Sequence, residues 1–195
     1  MNEQITLIVG LGNPGAQYEH TRHNAGADFV AELVKQSGEQ FKLETKFHGL
    51  YSKITFANRP LHCLIPTTFM NRSGQAVAAL AHFYKIPPEA ILIAHDELDI
   101  PPGSVKLKFS GGHGGHNGLR DIISHLGSNH FARLRLGIGH PGNSQEVVNY
   151  VLKKAPILEQ ELLENVIEKT IRALPELLNS NWHKAQTLIN GFKAG

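Results

Sequence analysis

The chain is short of cysteine, of net charge and of long apolar runs, and each shortage removes a class of protein. Cys63 is the only cysteine in 195 residues, so no internal disulfide can form. Its neighbours Leu61, Leu64 and Ile65 predict a buried, inert thiol. No apolar stretch approaches the roughly 18 residues that cross a bilayer. The opening Met1-Asn2-Glu3-Gln4 shows no basic start to a secretory signal. A membrane protein is therefore not expected, and the cytoplasm is the expected compartment. Nor is there a G-x-S-x-G elbow of the kind that presents a nucleophilic serine.

Apolar residues make up 41% of the chain and charged residues 18%, the balance of an ordinary globular enzyme. The length fits one domain spanning 1–195. The net charge of +2 is small but uneven. Between Ser104 and Lys154 stand seven basic residues (Lys106, Lys108, Arg120, Arg133, Arg135, Lys153, Lys154) against Asp121 and Glu146, leaving −3 for the remainder. A basic stretch within a nearly neutral chain points to an anionic partner on one face, although a solvated basic surface would look the same.

Strand and helix patterns alternate. Strands are expected at Ile5–Gly10, Gly49–Phe56, Pro60–Pro66, Ile91–His95, Val105–Phe109 and Leu134–Ile138. Helical spacing runs over Asn24–Ser37, over a segment capped by Asn71 or Ser73 and ending before Pro87-Pro88, and over Gly118–Leu126. Two further helices are expected at Ile157–Asn179, with a break or kink at Pro175, and at Lys184–Phe192. The pattern predicts a single compact α/β domain with a twisted mixed, largely parallel, central sheet flanked by helices.

Three glycine-rich loops each follow a predicted strand: Gly10–Gly15, Ser110–Gly118 and Gly137–Gly142. Ligands of open α/β sheets bind beyond the carboxyl ends of strands, so all three are expected to border one crevice, with Asp96 beside them. Gly10-Leu-Gly12-Asn13-Pro14-Gly15 fits the G-x-G-x-x-G dinucleotide fingerprint. The following residues, however, lack an apolar helix face until Ala27 or Phe29, and no acidic residue ends a second strand at the required distance. A nicotinamide-type oxidoreductase is thus the weaker reading. His113-Gly-Gly-His116 offers two imidazoles, but the glycines make it a loop rather than the helix that aligns H-E-x-x-H metal ligands, and no metal is expected.

General-base hydrolysis suits the remaining groups. An imidazole with a pKa near 6.5 takes a proton from water near neutrality when a carboxylate orients it. His23 and Asp96 are the candidates, and the carboxamides of Asn13, Asn71 and Asn117 would hold water, hydroxyl and carbonyl groups without adding charge. Each residue also has an unremarkable reading. His23 would serve a helix entry, Asp96 a turn, Asn71 and Asn117 would be N-caps, and Lys108 and Arg135 ordinary strand-surface charges.

Together these motifs resemble the bacterial-type peptidyl-tRNA hydrolases. The likeness lies in Val9-Gly-Leu-Gly-Asn-Pro-Gly15, Tyr18, Thr21-Arg-His-Asn-Ala-Gly26 and Pro66-Thr-Thr-Phe-Met-Asn-Arg-Ser-Gly74. It continues through His95-Asp-Glu-Leu-Asp99, Gly111-Gly-His-Gly-Gly-His-Asn-Gly-Leu-Arg-Asp121 and Arg133-Leu-Arg-Leu-Gly-Ile-Gly-His-Pro-Gly142. The resemblance implies a monomeric, cofactor-free esterase that frees tRNA from peptidyl-tRNA dropped in translation. In it His23 would activate water and Asp96 would support His23. Asn13 would help discriminate N-blocked substrates, Tyr18, Phe69, Asn71 and Asn117 would line the tRNA 3′-end and peptide site, and Met70 and His116 would contribute beside them. Lys108 and Arg135 would clamp the 5′-phosphate of the acceptor stem. A tRNA-binding module without catalysis is the alternative. Two departures concern loops: Ser110 stands where the family usually has glycine, and Gly127–Ala132 is about one residue short of the family pattern.

Overall fold

Leu7-Ile8-Val9-Gly10 is apolar on both sides, as a strand covered on two faces must be. In the computed structural model, which describes residues 4–193, it forms the central strand β1 (Leu7–Gly10). The expectation drawn from Met1–Glu3 lies outside the described residues. The other strands are β2 (Lys42–Glu44), β3 (Gly49–Phe56), β4 (Arg59–Pro66), β5 (Ile91–Glu97), β6 (Val105–Phe109) and β7 (Ala132–Gly137). They make a seven-stranded mixed sheet in the order β2-β3-β4-β1-β5-β7-β6. The centre β4-β1-β5-β7 is parallel, and β2, β3 and β6 join antiparallel at its sides. The expected α/β architecture is the one observed.

Alternate residues of β1 enter two separate cores. Ile8 faces α1 (Ala25–Gln36), α5 (Ile157–Leu178) and α6 (Trp182–Asn190), whose Phe29, Leu33, Ile171, Leu174 and Ile189 are all buried. Leu7 and Val9 face α2 (Ser73–Phe83) and α3 (Asn117–Leu126) through Val77, Leu80, Leu119 and Ile122. A short helix α4 (Val147–Val151) precedes α5. This helix and β2 lack a sequence signal of their own, being five and three residues long.

Several expectations need correction. Helix α5 runs through Pro175 without a break. A mid-helix proline costs about 3 kcal/mol, whereas each buried Leu or Ile contributes about 1.5–3 kcal/mol, and Ile171, Leu174, Leu177 and Leu178 are all buried here. Neither Asn71 nor Ser73 caps α2. Met70–Arg72 forms a tight 3₁₀ turn into that helix, and the Ser73 hydroxyl donates to the Met70 carbonyl at 2.7 Å. Strand β5 extends through Glu97, so Asp96 is a ladder residue paired with Leu136 rather than a turn residue. The hairpin between β3 and β4 turns on Ala57-Asn58, both at positive φ.

One close approach fixes where the chemistry sits. A Cβ on Gly26 would overlap the Ala94 carbonyl, and one on Gly10 would overlap the Gly26 carbonyl. The start of α1 therefore rests directly on the carboxyl end of β1 and on the middle of β5, two residues before Asp96. That contact carries the residues just before α1 to the residues at the end of β5.

Candidate active site

His23 lies in a 3₁₀ turn, Arg22–Asn24, that runs directly into α1. The turn is tied at Arg22 N–H to the Lys153 carbonyl at 3.0 Å and at Asn24 N–H to the Thr21 carbonyl at 3.0 Å. The His23 Nδ1 then meets both carboxylate oxygens of Asp96, at 3.0 and 2.9 Å. The same carboxylate receives His116 Nε2 at 2.8 Å. The Asp96 side chain is 3% exposed and that of His23 only 13%, so the pair sits in a poorly hydrated place.

The hydrogen bonds determine which nitrogen carries each proton. His116 caps α3: its Nδ1 accepts from the backbone N–H groups of Gly118 (3.1 Å) and Leu119 (3.3 Å). A nitrogen that accepts holds no proton, so the His116 proton is on Nε2, donated to Asp96. His116 is consequently neutral and fixed in orientation, and Asn117, expected as the cap, begins the helix instead. His23 in turn donates Nδ1–H to Asp96, which leaves its Nε2 with a free lone pair. His95, packed beside His116, donates from Nδ1 to the backbone carbonyl of Asp96 at 2.8 Å, and burial holds it down to about 3.

Charges follow from these contacts. Burial pushes the Asp96 carboxyl up, but His23 and His116 together hold it well below the usual carboxylate range. Burial pulls His23 down, and the charge and hydrogen bond of Asp96 more than offset it, leaving His23 above its ordinary value. The centre is thus an ionised carboxylate supporting an imidazole whose outer nitrogen is a base strengthened by that charge.

Asn13 is held on three sides. Its backbone N–H donates to Asn24 Oδ1 at 2.8 Å, its carbonyl accepts from Asn24 Nδ2 at 3.0 Å, and its Oδ1 accepts from the Met70 N–H at 2.7 Å. Among the described residues its Nδ2 alone has no partner, which leaves an amide donor available. Asn117 is similar, for its Oδ1 is engaged by Arg120 Nη1 at 3.3 Å. Asn13, His23, Asp96, His116 and Asn117 line one cavity of about 290 Å³, whose apolar wall is Leu98 with Val147, Val148, Val151 and Leu152. That wall was missed in the sequence because it is carried largely by short α4.

The other expected residues do not line this cavity. Met70 is buried against Gly118, while Tyr18 and the exposed Phe69 meet edge to face at 6.3 Å. Asn71 is exposed on the turn before α2. Lys108 is exposed on β6, and Arg135 on β7 donates from Nε to Glu97 at 2.9 Å, with Glu97 itself at the cavity. Of the three glycine-rich loops, the first two reach the cavity. The third does not: Gly137 and Ile138 line a separate cavity of about 520 Å³ between α1 and α5.

Ligand atoms of His23, Asp96 and His116 lie within 4.8 Å of one another, the one such group among the described residues, and His113 is outside it. A metal would require deprotonated nitrogens facing the carboxylate. His116 Nε2 must hold its proton while Nδ1 caps α3, so the donor set fits a hydrogen-bonded triad and not a metal centre.

The family model described as peptidyl-tRNA hydrolase matches residues 7–195. The peptidyl-tRNA hydrolase of Saccharophagus degradans is 59% identical over 182 residues, covering 93% of this chain and 92% of that protein. That of Pseudomonas aeruginosa is 56% identical over 191 residues, covering 97% and 98%. The crystal structure of peptidyl-tRNA hydrolase from Acinetobacter baumannii superposes with a TM-score of 0.94 at 49% identity, covering 97% and 96%. A purine nucleoside phosphorylase from Toxoplasma gondii shares the fold alone, at 9% identity and a TM-score of 0.55.

Proposed function

The chain belongs to the peptidyl-tRNA hydrolase family, and we propose that it hydrolyses peptidyl-tRNA with His23 as the general base. The observation that carries this reading is the His23–Asp96 bond, which leaves His23 Nε2 free at a cavity lined by two fixed carboxamides. The bond cleaved is the ester between the C-terminus of a peptide and the 3′-terminal ribose of tRNA. Water gives a proton to His23 Nε2 as its oxygen attacks the ester carbonyl. The imidazolium so formed is stabilised by Asp96 and returns the proton to the ribose oxygen as the tetrahedral intermediate collapses. A base placed this way is worth about 10²–10⁴ in rate. Amide donors at Asn13 and Asn117 add stabilisation to the developing oxyanion.

Substrate roles follow the same placement. Asn13 Nδ2 meets the substrate carbonyl nearest the ester and favours N-blocked substrates, in which that segment is an amide and not a free ammonium. Tyr18, Phe69 and Asn71 take the unpaired 3′ end, with Phe69 exposed for stacking on a base. Met70 holds Asn13, and His116 holds Asp96. Lys108 and Arg135 clamp the 5′-phosphate of the acceptor stem, a contact that supplies affinity without sequence preference. The enzyme works as a monomer, without cofactor, in the cytoplasm where translation makes its substrate; no described helix is long and apolar enough to cross a membrane.

Incubation with N-acetyl-aminoacyl-tRNA and with free aminoacyl-tRNA tests the reading. Release of tRNA from the first but not the second, undiminished by a chelator, is expected. Affinity for tRNA without ester cleavage would instead establish a binding module.

A further inference from the structure

Arg133 is an oddity on the same sheet face as the proposed clamp. It lies on β7 opposite Lys108 and two residues before Arg135, yet it is 2% exposed. Among the described residues its guanidinium meets no carboxylate. Nη1 donates to the Gly112 carbonyl at 2.6 Å and Nη2 to the Gly111 carbonyl at 2.6 Å, with a longer bond from Nη2 to the Asn129 carbonyl at 3.2 Å. Its guanidinium carbon lies over the Phe131 ring, 4.4 Å from the centroid. A buried cation without a counter-ion costs stability, so this arrangement stabilises something specific. With both Nη groups already engaged by carbonyls, Arg133 is poorly placed to take a phosphate.

The segment it grips is otherwise loose by composition. Gly111, Gly112, Gly114 and Gly115 surround His113, and Gly111, Gly114 and Gly115 have positive φ. Four residues after Gly112 comes His116, whose N–H on Asp96 orients the carboxylate. Ser110, at φ 67, donates its N–H to the Phe131 carbonyl and gives the loop its second attachment to the start of β7. Loop and β7 are therefore joined at Ser110, Gly111 and Gly112, just upstream of the catalytic carboxylate's partner.

We propose that Arg133 is a positioning residue for hydrolysis, a forked latch on Gly111 and Gly112 that keeps His116 seated on Asp96, and that it is no part of the phosphate clamp. This rests on the hydrolase reading. Lysine at 133 keeps the charge but cannot span two carbonyls with a planar fork.

Steady-state hydrolysis of N-acetyl-aminoacyl-tRNA by R133K tests it. A misplacement near 1 Å can cost about a hundredfold, so kcat is expected to fall roughly ten- to hundredfold with KM nearly unchanged. The salt dependence of tRNA binding should match wild type, whereas R135A should lower that slope by about 1. R133K combined with H116A should be no slower than the slower single variant, because both act through one contact. R133M, which removes the buried charge and so guards against unfolding by an unpaired cation, should show the same kcat loss. Wild-type kcat in either folded variant, a loss confined to KM and the salt slope, or fully additive effects with H116A would overturn the latch. If wild type itself leaves the substrate intact, the hydrolase reading fails instead.

Discussion

Two histidine–carboxylate pairs have their histidines three residues apart at the entry to α1, and only one has the geometry of the proposed general base. His20 and Asp28 lie 3.4 Å apart beside the larger cavity of about 520 Å³. His23 and Asp96 lie 2.9 Å apart at the smaller cavity of about 290 Å³. His20 is 69% exposed, whereas His23 is 13% exposed and fixed by a turn hydrogen-bonded at both ends. Asp28 is pushed up to about 6, by burial first and by Glu164 and Glu19, with His20 opposing only in part. Asp96 is more deeply buried, yet it stays far below the carboxylate range because two imidazole donors converge on it. Burial alone neutralises a carboxyl group, and burial with fixed donors makes it a permanent charge. Cavity size does not separate the two sites; the second donor, His116, does.

Substitutions at the paired positions should expose this difference. His23→Ala should lower kcat on N-acetyl-aminoacyl-tRNA by about 10³ or more while tRNA binding persists. Asp96→Asn should cost about 10²–10⁴, since the amide no longer fixes the His23 proton on Nδ1. It should also move the acid limb of kcat/KM. If neutral His23 is the base, as proposed, activity rises with pH through its pKa, which Asp96 holds above the ordinary histidine value. Without that charge, burial pulls the imidazole down and the limb shifts to lower pH; an unmoved limb would mean that Asp96 does not act on His23. Lys108→Ala with Arg135→Ala should raise KM about tenfold or more for intact substrate, and leave a short substrate lacking the 5′-phosphate nearly untouched.

Asp28→Asn should leave kcat unchanged and act on stability instead. Because the folded state raises the Asp28 pKa to about 6, its neutral form favours folding, and that benefit is lost as pH rises through 6. The asparagine variant should therefore melt about 2–4 °C higher near pH 7.5, about 1 kcal/mol, with the gain vanishing toward pH 4. An equal gain at both pH values would mean that Asp28 ionisation is not its source.

The strand and helix alternation was legible because β1, β3, β5 and β6 are strongly apolar or alternating, and their observed spans lie close to the expected ones. Lost were the elements whose stability comes from elsewhere. Helix α4 exists because Tyr150 is pinned: its hydroxyl donates to the Ile138 carbonyl at 2.6 Å and its ring lies under Arg22 at 3.8 Å. Pro175 misled because local helix cost was visible and the packing of four buried neighbours was not. Among candidate site residues, Asn13, His23, Asp96, His116 and Asn117 could be singled out by chemistry and motif, but not their proton positions. The His116 cap on α3 has no sequence signature, since histidine is not a usual N-cap residue. Ser110 marks a place where glycine suits the backbone, for its φ of 67 lies in the left-handed region. The 520 Å³ cavity, too, was invisible until α1 and α5 were placed.

Parallel hydrolysis of N-acetyl-aminoacyl-tRNA by wild type, His23→Ala and His20→Ala, each shown to be folded, puts the two pairs in direct competition. Catalysis from the His23–Asp96–His116 centre requires His20→Ala to stay within about twofold of wild type while His23→Ala falls by about 10³ or more. Retention of a tenth or more of the wild-type rate by His23→Ala, or an equal collapse of His20→Ala, would contradict it.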